Sequence, residues 1–161
     1  MTKKYVLSIF ILIALTFHAF AQPIDKIQNL DINKLSSLIN STDQATPHII
    51  SFWASWCKPC MEELPYFEKI KQIHPEIIID LINLDFEKDV KSKVFPIIAK
   101  RYNGIQIHRL PGISADDWMP LVNVDWDGAI PATLIIMGNT KSFKNGKFKD
   151  FEELKATLSK L

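Results

Sequence analysis

Cysteine is scarce in this chain: its 161 residues include only two, Cys57 and Cys60. Two thiols are too few to cross-link a small secreted scaffold or to complete a four-thiolate zinc site. Glycine occurs only five times, which excludes collagen-like and glycine-rich low-complexity chains. Neither sign of charge dominates, because 19 Lys and Arg against 18 Asp and Glu leave a formal net charge of +1. The composition therefore argues against a nucleic-acid partner, which would require a strongly basic face.

The apolar content is sufficient for one hydrophobic core. Hydrophobic residues make up 47% of the chain and charged residues 23%, which is typical of a globular domain of this length. No linker-like stretch or internal repeat divides the sequence after residue 21. We therefore predict one domain over residues 22–161.

The N-terminal segment is typical of a signal peptide. Lys3 and Lys4 precede an apolar run over residues 6–17, and Ala19-Phe20-Ala21 places small residues at the two positions that a signal peptidase reads. We predict that residues 1–21 are cleaved and that the mature protein is exported to the periplasm. The alternative is an uncleaved membrane anchor, but the apolar run is shorter than the roughly 20 residues that span a bilayer.

Apolar runs and amphipathic patterns alternate along the mature chain. Residues 48–53 and 77–84 are predicted to form buried parallel strands, joined by a helix that begins beside Cys57 and ends before Pro75. The apolar face of that helix comprises Met61, Leu64, Phe67, Ile70 and Ile73. Other patterns predict helices at 32–39, 87–102 with a bend at Pro96, 115–122 and after the capping pair Asp150 and Glu153, and strands at 105–110, 131–137 and 140–144. The two cysteines thus lie at a strand-to-helix junction.

The Cys-x-x-Cys spacing favours thiol-disulfide exchange. Such chemistry needs one thiolate that attacks and a second thiol close enough to resolve the mixed disulfide. A helix N-terminus stabilises a thiolate, so Cys57 is the predicted nucleophile and Cys60, one turn further along the helix, is the predicted resolving thiol. Lys58 adds positive charge beside the site, and Pro59 presets a helical φ in the first turn.

Two other interpretations of the cysteine pair remain open. The pair is expected to form a disulfide in an exported protein, and that disulfide could be merely stabilising, although so short a loop restricts the unfolded chain little. A metal site is the weaker alternative, because zinc needs four ligands and His48, His74 and His108 show no paired spacing. No metal is therefore predicted.

Two segments resemble the signatures of the thioredoxin superfamily. Residues 52–65 (Phe-Trp-Ala-Ser-Trp-Cys-Lys-Pro-Cys-Met-Glu-Glu-Leu-Pro) are similar to its active-site segment, and the Glu63-x-Pro65 ending is similar to the exported TlpA/ResA-like thiol-disulfide reductases. Residues 128–133 resemble its second signature, a proline loop that faces the cysteines. The resemblance implies an α/β fold with a mixed β-sheet flanked by helices on both faces. It also implies a cis Ile130–Pro131 bond and a substrate groove lined by Trp56, Ile130 and Pro131. The alternative for Pro131 is an ordinary strand-edge proline.

Two departures limit what the resemblance implies: Ser51 and the loosely matched segment 103–127. Ser51 stands where thioredoxin usually has a buried Asp, so another group must accept the proton of Cys60. Glu63 matches an acid that ResA-like proteins keep near their cysteines, and its i to i+3 spacing from Cys60 suits that role. Equally, Glu63 and Glu62 could be helix-start acids favoured by the helix dipole. Trp118 and Trp126, in the loosely matched segment 103–127, are interpreted as core or lid aromatics rather than substrate contacts.

The expected function is reduction of protein disulfides by Cys57 and Cys60, without a cofactor other than this redox-active pair. The resemblance implies protein thiol or disulfide substrates, among them apocytochrome c thiols, and a membrane protein as electron donor. One alternative is the same chemistry in the opposite direction, as a thiol oxidant or isomerase. Another is a non-catalytic Cu(I)-binding module, because soft thiolates suit Cu(I). The oligomeric state has no signature in the sequence.

Overall fold

A mixed β-sheet forms the centre of the protein, which is seen here in a computed structural model. The structure describes residues 27–40, 45–99 and 102–160, so the predicted signal peptide at 1–21 lies outside the described residues. Six strands and five helices occur within these ranges. The strands are β1 Ile27–Asn29, β2 His48–Trp53, β3 Ile78–Asn83, β4 Gln106–Arg109, β5 Ala132–Met137 and β6 Thr140–Asn145. The helices are α1 Ile32–Ile39, α2 Lys58–Ile73, the interrupted α3 over 87–98, α4 Ala115–Val122 and α5 Phe151–Leu158.

The strand order across the sheet is β1-β4-β3-β2-β5-β6. The first four of these strands are parallel to one another, whereas β5 runs antiparallel to β2 and β6 antiparallel to β5. The predicted parallel pairing of the two buried strands and the predicted β5–β6 hairpin are confirmed. Among the described helices, none is long and apolar enough to cross a membrane.

Helices cover both faces of the sheet, as the sequence predicted. We call one side the disulfide face, where α2, α3 and α5 pack on inward residues such as Ile49, Leu81 and Ile135. We call the other side the tryptophan face, where α1 and α4 cover Phe52 and Leu134. Successive strand residues point to opposite sides, which explains why neighbours along one strand belong to different clusters.

The tryptophan face contains an aromatic cluster centred on Phe52. The Phe52 ring stacks on Trp118 with ring centroids 5.3 Å apart, and Trp126 lies 4.9 Å from the same ring. Both tryptophans are buried. The interpretation of Trp118 and Trp126 as core aromatics is therefore confirmed.

The same face also buries three ionisable side chains on adjacent strands. His48 on β2 and His108 on β4 both direct Nε2 at the carboxylate of Asp80 on β3, the former at 2.5 Å. All three are at least 97% inaccessible to solvent. The two histidines are 60 residues apart in the sequence. Their spacing therefore gave no indication that both contact Asp80, which lies on the strand between theirs.

The helix predicted over 87–102 differs from the structure. It consists of Glu87–Asp89, a π-helical turn Val90–Val94 and a second α-helical segment Phe95–Ile98. Phe95 donates its N–H to the carbonyl of Val90, five residues earlier. Pro96 has no N–H to donate and therefore suits the first turn of a new segment rather than the middle of a continuous helix.

Two smaller features differ from the sequence-based expectation. Ile73, predicted to lie on the apolar face of α2, is 51% exposed. In a helix of 3.6 residues per turn, residues three positions apart are rotated by about 300°, which is about 60° short of a full turn. This difference accumulates along Leu64, Phe67 and Ile70, so that Ile73 points away from their apolar stripe. The short strand β1 was not predicted, because three residues with one half-buried side chain carry no pattern.

Candidate active site

The cysteine pair lies between the end of β2 and the start of α2, as predicted. Cys57 is the N-cap residue of α2, and its Sγ accepts a hydrogen bond from the Cys60 N–H at 3.3 Å. Cys57 and Cys60 form a disulfide with their Cα atoms 5.2 Å apart. The buried strand fixes one side of this junction, and the helix N-terminus directs unpaired N–H groups and positive dipole character at the Cys57 sulfur.

The two sulfur-bearing residues differ little in exposure in this disulfide form. Cys57 is 5% exposed and Cys60 1%, so the predicted nucleophile is only slightly more accessible than the predicted resolving thiol. The residues around Cys57 are more accessible: Trp56 is 60% exposed, and Lys58 and Pro59 are also exposed.

The loop before β5 lies against the cysteine pair. The Ile130–Pro131 peptide bond is cis, which confirms that prediction. The carbonyl oxygen of Ile130 is 3.6 Å from the Cys57 Sγ. Pro131 is buried and Ile130 is half-buried. Of the three predicted groove residues, Ile130 thus contacts Cys57 through its carbonyl oxygen. Pro131 is the next residue of the same loop, and Trp56 projects into solvent beside Cys57.

Glu63 is buried beneath α2 rather than exposed at the start of that helix. Its side chain is 1% exposed and accepts a hydrogen bond from the Phe148 N–H at 2.8 Å. Burial raises the pKa of Glu63 to about 7, although the Phe148 N–H and the positive charges of Lys144 and Lys147 oppose the rise. The helix-start interpretation is therefore wrong for Glu63.

Glu62 is not a first-turn acid of α2 either, so the helix-start interpretation does not hold for it. It lies on the solvent side, where Lys147 donates a hydrogen bond to its carboxylate at 2.6 Å. That bond and the charge of Lys147, with a smaller contribution from Lys58, lower the pKa of Glu62. Adjacent glutamates thus have opposite surroundings, because one points toward the sheet and the other away from it.

Ser51, at the position where thioredoxin usually has a buried Asp, pairs with a hydroxyl group rather than with an acid. The Ser51 hydroxyl accepts a hydrogen bond from Thr133 Oγ1 at 3.1 Å, and both side chains are buried. On this side of the sheet Glu63 is the buried carboxyl that the described residues provide.

A polar network that the sequence analysis missed supports the active-site loop. Asp85, which follows β3, accepts hydrogen bonds from the Ser55 N–H at 2.7 Å, from the Ser55 hydroxyl and from Asn83 Nδ2. Arg109 at the end of β4 donates to the Asp85 carbonyl and to Glu87. The available signal was a polar residue at or just beyond the C-terminal end of each of three parallel strands, namely Ser55, Asp85 and Arg109, since such strand ends meet at one sheet edge.

Comparison with known proteins agrees with this geometry. The thioredoxin family matches residues 26–112, more than half of the chain. The chain is 30% identical over 93 residues to sporulation thiol-disulfide oxidoreductase A of Bacillus subtilis (strain 168), a match that covers 53% of this chain and 56% of that protein. It is 38% identical over 47 residues to thiol-disulfide oxidoreductase ResA of Bacillus thuringiensis (strain Al Hakam), covering 29% of this chain and 27% of ResA. The chain therefore spans about half the length of the first relative and about a quarter of the second.

A solved structure shows the same fold. It is that of a secreted Mycobacterium tuberculosis disulfide oxidoreductase homologous to Escherichia coli DsbE, with a TM-score of 0.54 and 19% identity. The match covers 75% of this chain and 86% of that one. The mixed six-stranded sheet, the cysteine pair at a strand-to-helix junction and the family match lead to one conclusion: the chain belongs to the thioredoxin family.

Proposed function

We propose that this protein is an exported thiol-disulfide oxidoreductase that reduces disulfides in other proteins through Cys57 and Cys60. The observation that carries this proposal is the position of Cys57, which caps α2 while its sulfur lies 3.6 Å from the Ile130 carbonyl in the loop before β5. A helix N-terminus lowers a thiol pKa and favours the attacking thiolate. The adjacent cis-proline loop supplies a wall against which a substrate chain can lie.

The reaction begins from the reduced pair. The Cys57 thiolate attacks one sulfur of the substrate disulfide, so that the substrate S–S bond breaks and a Cys57–substrate disulfide forms. The other substrate sulfur leaves as a thiolate and takes a proton. Cys60, once deprotonated, attacks the Cys57 sulfur, which releases the second substrate thiol and forms the Cys57–Cys60 disulfide. Two electrons and two protons thus pass from the enzyme pair to the substrate.

Glu63 is the group that we assign to the proton of Cys60. Its place three residues after Cys60 on α2, its burial and its pKa of about 7 support a carboxyl that can accept and return a proton near neutral pH. Ser51 and Thr133 cannot take this role, because their hydroxyl groups do not ionise in this range.

A second protein must return the pair to its dithiol form. We propose a membrane protein with a dithiol as this electron donor and protein disulfides, including those of apocytochrome c, as substrates. Export is supported by the signal-peptide pattern of residues 1–21 and by the likeness to a protein described as secreted. An exported dithiol needs such a donor because its surroundings favour oxidation.

Trapping of mixed disulfides tests the assigned roles. Cys60→Ser should accumulate disulfide-linked complexes with target proteins through Cys57, because attack remains and resolution is lost. Cys57→Ser is the matched control and should accumulate none. Complexes that form with Cys57→Ser and not with Cys60→Ser would reverse the two roles.

The reduction potential tests the direction. Equilibration with glutathione should place the Cys57–Cys60 pair nearer the roughly −270 mV of thioredoxin than the roughly −120 mV of the strong oxidant DsbA. A value near that of the oxidant would replace reduction by oxidation as the function. In the same protein, Glu63→Gln should shift the pH dependence of cysteine alkylation, whereas Glu62→Gln should not. Equal alkylation profiles would remove Glu63 from the mechanism.

A further inference from the structure

Met119 of α4 lies against the loop that precedes β5. A Cβ atom added at Gly128 would be 3.2 Å from the Met119 Cε and 3.5 Å from its Sδ, so the thioether fills the space beside a residue that has no side chain. Gly128 has a φ of +82°, a backbone conformation that favours glycine. The Met119 thioether therefore packs directly on the backbone of this loop.

The same loop continues to the cysteine pair. Ile130, two residues after Gly128, has its carbonyl oxygen 3.6 Å from the Cys57 Sγ. Met119 and Ile130 also pack on the same apolar cluster of the tryptophan face. A change in the size or polarity of the Met119 side chain therefore acts on the chain close to the carbonyl group that contacts Cys57.

The thioether of Met119 is open to such a change. Met119 is half-buried, and Gly128 beside it is exposed, so a small oxidant can approach the sulfur from solvent. Oxidation of methionine to its sulfoxide converts a flexible apolar side chain into a polar one and disrupts apolar packing. A sulfoxide oxygen in an apolar contact is unfavourable unless it finds a hydrogen-bond donor. The oxidised side chain should therefore leave its place on Gly128.

Two other methionines of the described residues have different surroundings. Met61 and Met137 are also half-buried. Met61 follows Cys60 on α2 and packs on the apolar cluster of the disulfide face. Met137 is the last residue of β5, at the opposite end of that strand from the proline loop. Both provide internal comparisons, because their oxidation would not change the thioether that packs on Gly128.

We propose that Met119 is a site of reversible oxidation, and that its sulfoxide slows thiol-disulfide exchange at Cys57 by displacing the loop at Gly128. The inference rests on the proposed function and adds a modification site to it. Hydrogen peroxide is the oxidant: its O–O bond breaks, one oxygen forms a bond to the Met119 Sδ, the thioether loses two electrons, and the peroxide is reduced to water. An exported protein encounters such oxidants outside the reducing cytoplasm.

Peroxide treatment of the full chain in its disulfide form tests the site. The bond between Cys57 and Cys60 protects both thiols during treatment, and the peroxide is removed before the pair is reduced. Peptide mass spectrometry measures the sulfoxide fraction at each methionine. The rate of exchange with glutathione disulfide should be about fivefold lower when Met119 is fully oxidised, because a small displacement near the reacting groups is enough to slow a reaction. Methionine sulfoxide reductases should restore the rate.

Leucine variants locate the effect. Met119→Leu retains an apolar side chain but has no sulfur, so its rates before and after treatment should be equal. Met61→Leu and Met137→Leu are the matched controls, and each should lose the same fraction of its own rate as the wild type does. Comparing each variant with its own untreated sample removes the effect of the substitution itself. Far-UV circular dichroism of the treated wild type should match that of the untreated protein.

The outcomes separate the two proposals. An untreated protein that does not react with glutathione disulfide would overturn the proposed function, while the mass spectra would still show whether Met119 is oxidised. Normal reaction of the untreated protein, together with an unchanged rate at full Met119 oxidation, would overturn the modification site alone. So would a loss of rate that persists in Met119→Leu, an absence of sulfoxide at Met119 when Met61 or Met137 is oxidised, or a loss of the folded circular dichroism signal.

Discussion

Within residues 27–40, 45–99 and 102–160, each face of the sheet buries one carboxylic acid in an apolar cluster, and the two acids differ in their partners. Glu63 on the disulfide face and Asp80 on the tryptophan face are each 1% exposed. Burial raises the pKa of Glu63 to about 7, because one backbone N–H and two lysines do not offset the loss of water. Burial also acts on Asp80, but hydrogen bonds from His108 and His48 and the charges of both rings hold its pKa below the usual value.

The difference shows that burial by itself does not decide the charge of a side chain. A buried carboxylate is tolerated where donors surround it, and a buried carboxylic acid retains its proton where they do not. The tryptophan face uses its acid to hold three strands together. The disulfide face leaves its acid able to change protonation near neutral pH, beside the residues that perform the proposed chemistry.

The largest expected effect comes from removing the charge on the tryptophan face. Asp80→Asn should lower the free energy of unfolding at pH 7 by about 3 to 5 kcal/mol, because two buried histidines lose their carboxylate partner. Urea unfolding measures the loss, with the exposed Asp116→Asn as control. Since the pKa of Asp80 is lowered in the folded state, its stabilising contribution exists above its unfolded value of 3.8 and is lost as the pH falls below it.

A loss no greater than that of Asp116→Asn would contradict the assigned role of Asp80. The same result would make the two faces alike, because replacing the buried acid by its amide would then cost no stability on either face.

Glu63 should show the opposite pH dependence. Because its folded pKa of about 7 lies above the unfolded value of 4.5, ionisation destabilises the folded protein progressively between these values. Glu63→Gln should match the wild-type stability below pH 4 and exceed it by about 3 kcal/mol above pH 7. Unfolding measured at several pH values tests this, with Glu62→Gln as the exposed neighbour that should show no such gain.

A constant difference between Glu63→Gln and wild type across this pH range would mean that Glu63 ionises normally. The contrast between the two buried acids would then disappear.

A hydrogen bond joins the tryptophan face to the proline loop. Trp126 Nε1 donates to the Ala129 carbonyl at 2.9 Å, just before the Ile130–Pro131 bond. Trp126→Phe should cost about 1 to 2 kcal/mol through the lost bond and the smaller ring. It should also slow exchange with glutathione disulfide more than the matched Trp118→Phe does. Equal exchange rates in the two variants would show that the loop is positioned without Trp126.

The smallest expected loss of stability comes from the hydrogen-bonded hydroxyl groups of Ser51 and Thr133. Thr133→Val and Ser51→Ala each remove the 3.1 Å bond between the two side chains and should each cost about 1 kcal/mol. The double variant should cost less than the sum, because one bond is lost in all three cases. Full additivity in a double-mutant cycle would contradict this.

Features that depend on neighbouring residues were predictable. The helix α1 begins after Asp31, whose side chain accepts a hydrogen bond from the Lys34 N–H, and α2 begins directly after Cys57, its N-cap residue. The strand β2 has the predicted bounds because six consecutive buried side chains leave a clear apolar run. The π-helical turn before Pro96 was missed, because its pattern of residues does not differ from that of an ordinary helix.

The sequence by itself determined the thioredoxin-family fold, the strand-to-helix position of the cysteine pair and the cis proline loop, since local patterns and two family signatures carry them. Tertiary structure decided the states of the buried acids. Glu62 and Glu63 are adjacent and chemically identical, yet Glu63 is buried and accepts a hydrogen bond from the N–H of Phe148, 85 residues away along the chain, whereas Glu62 is exposed. His48 and His108 meet at Asp80 only because β3 lies between β2 and β4. A side-chain pKa depends on how far the group lies from water, from other charges and from hydrogen-bond donors. The order of residues along the chain does not specify those distances.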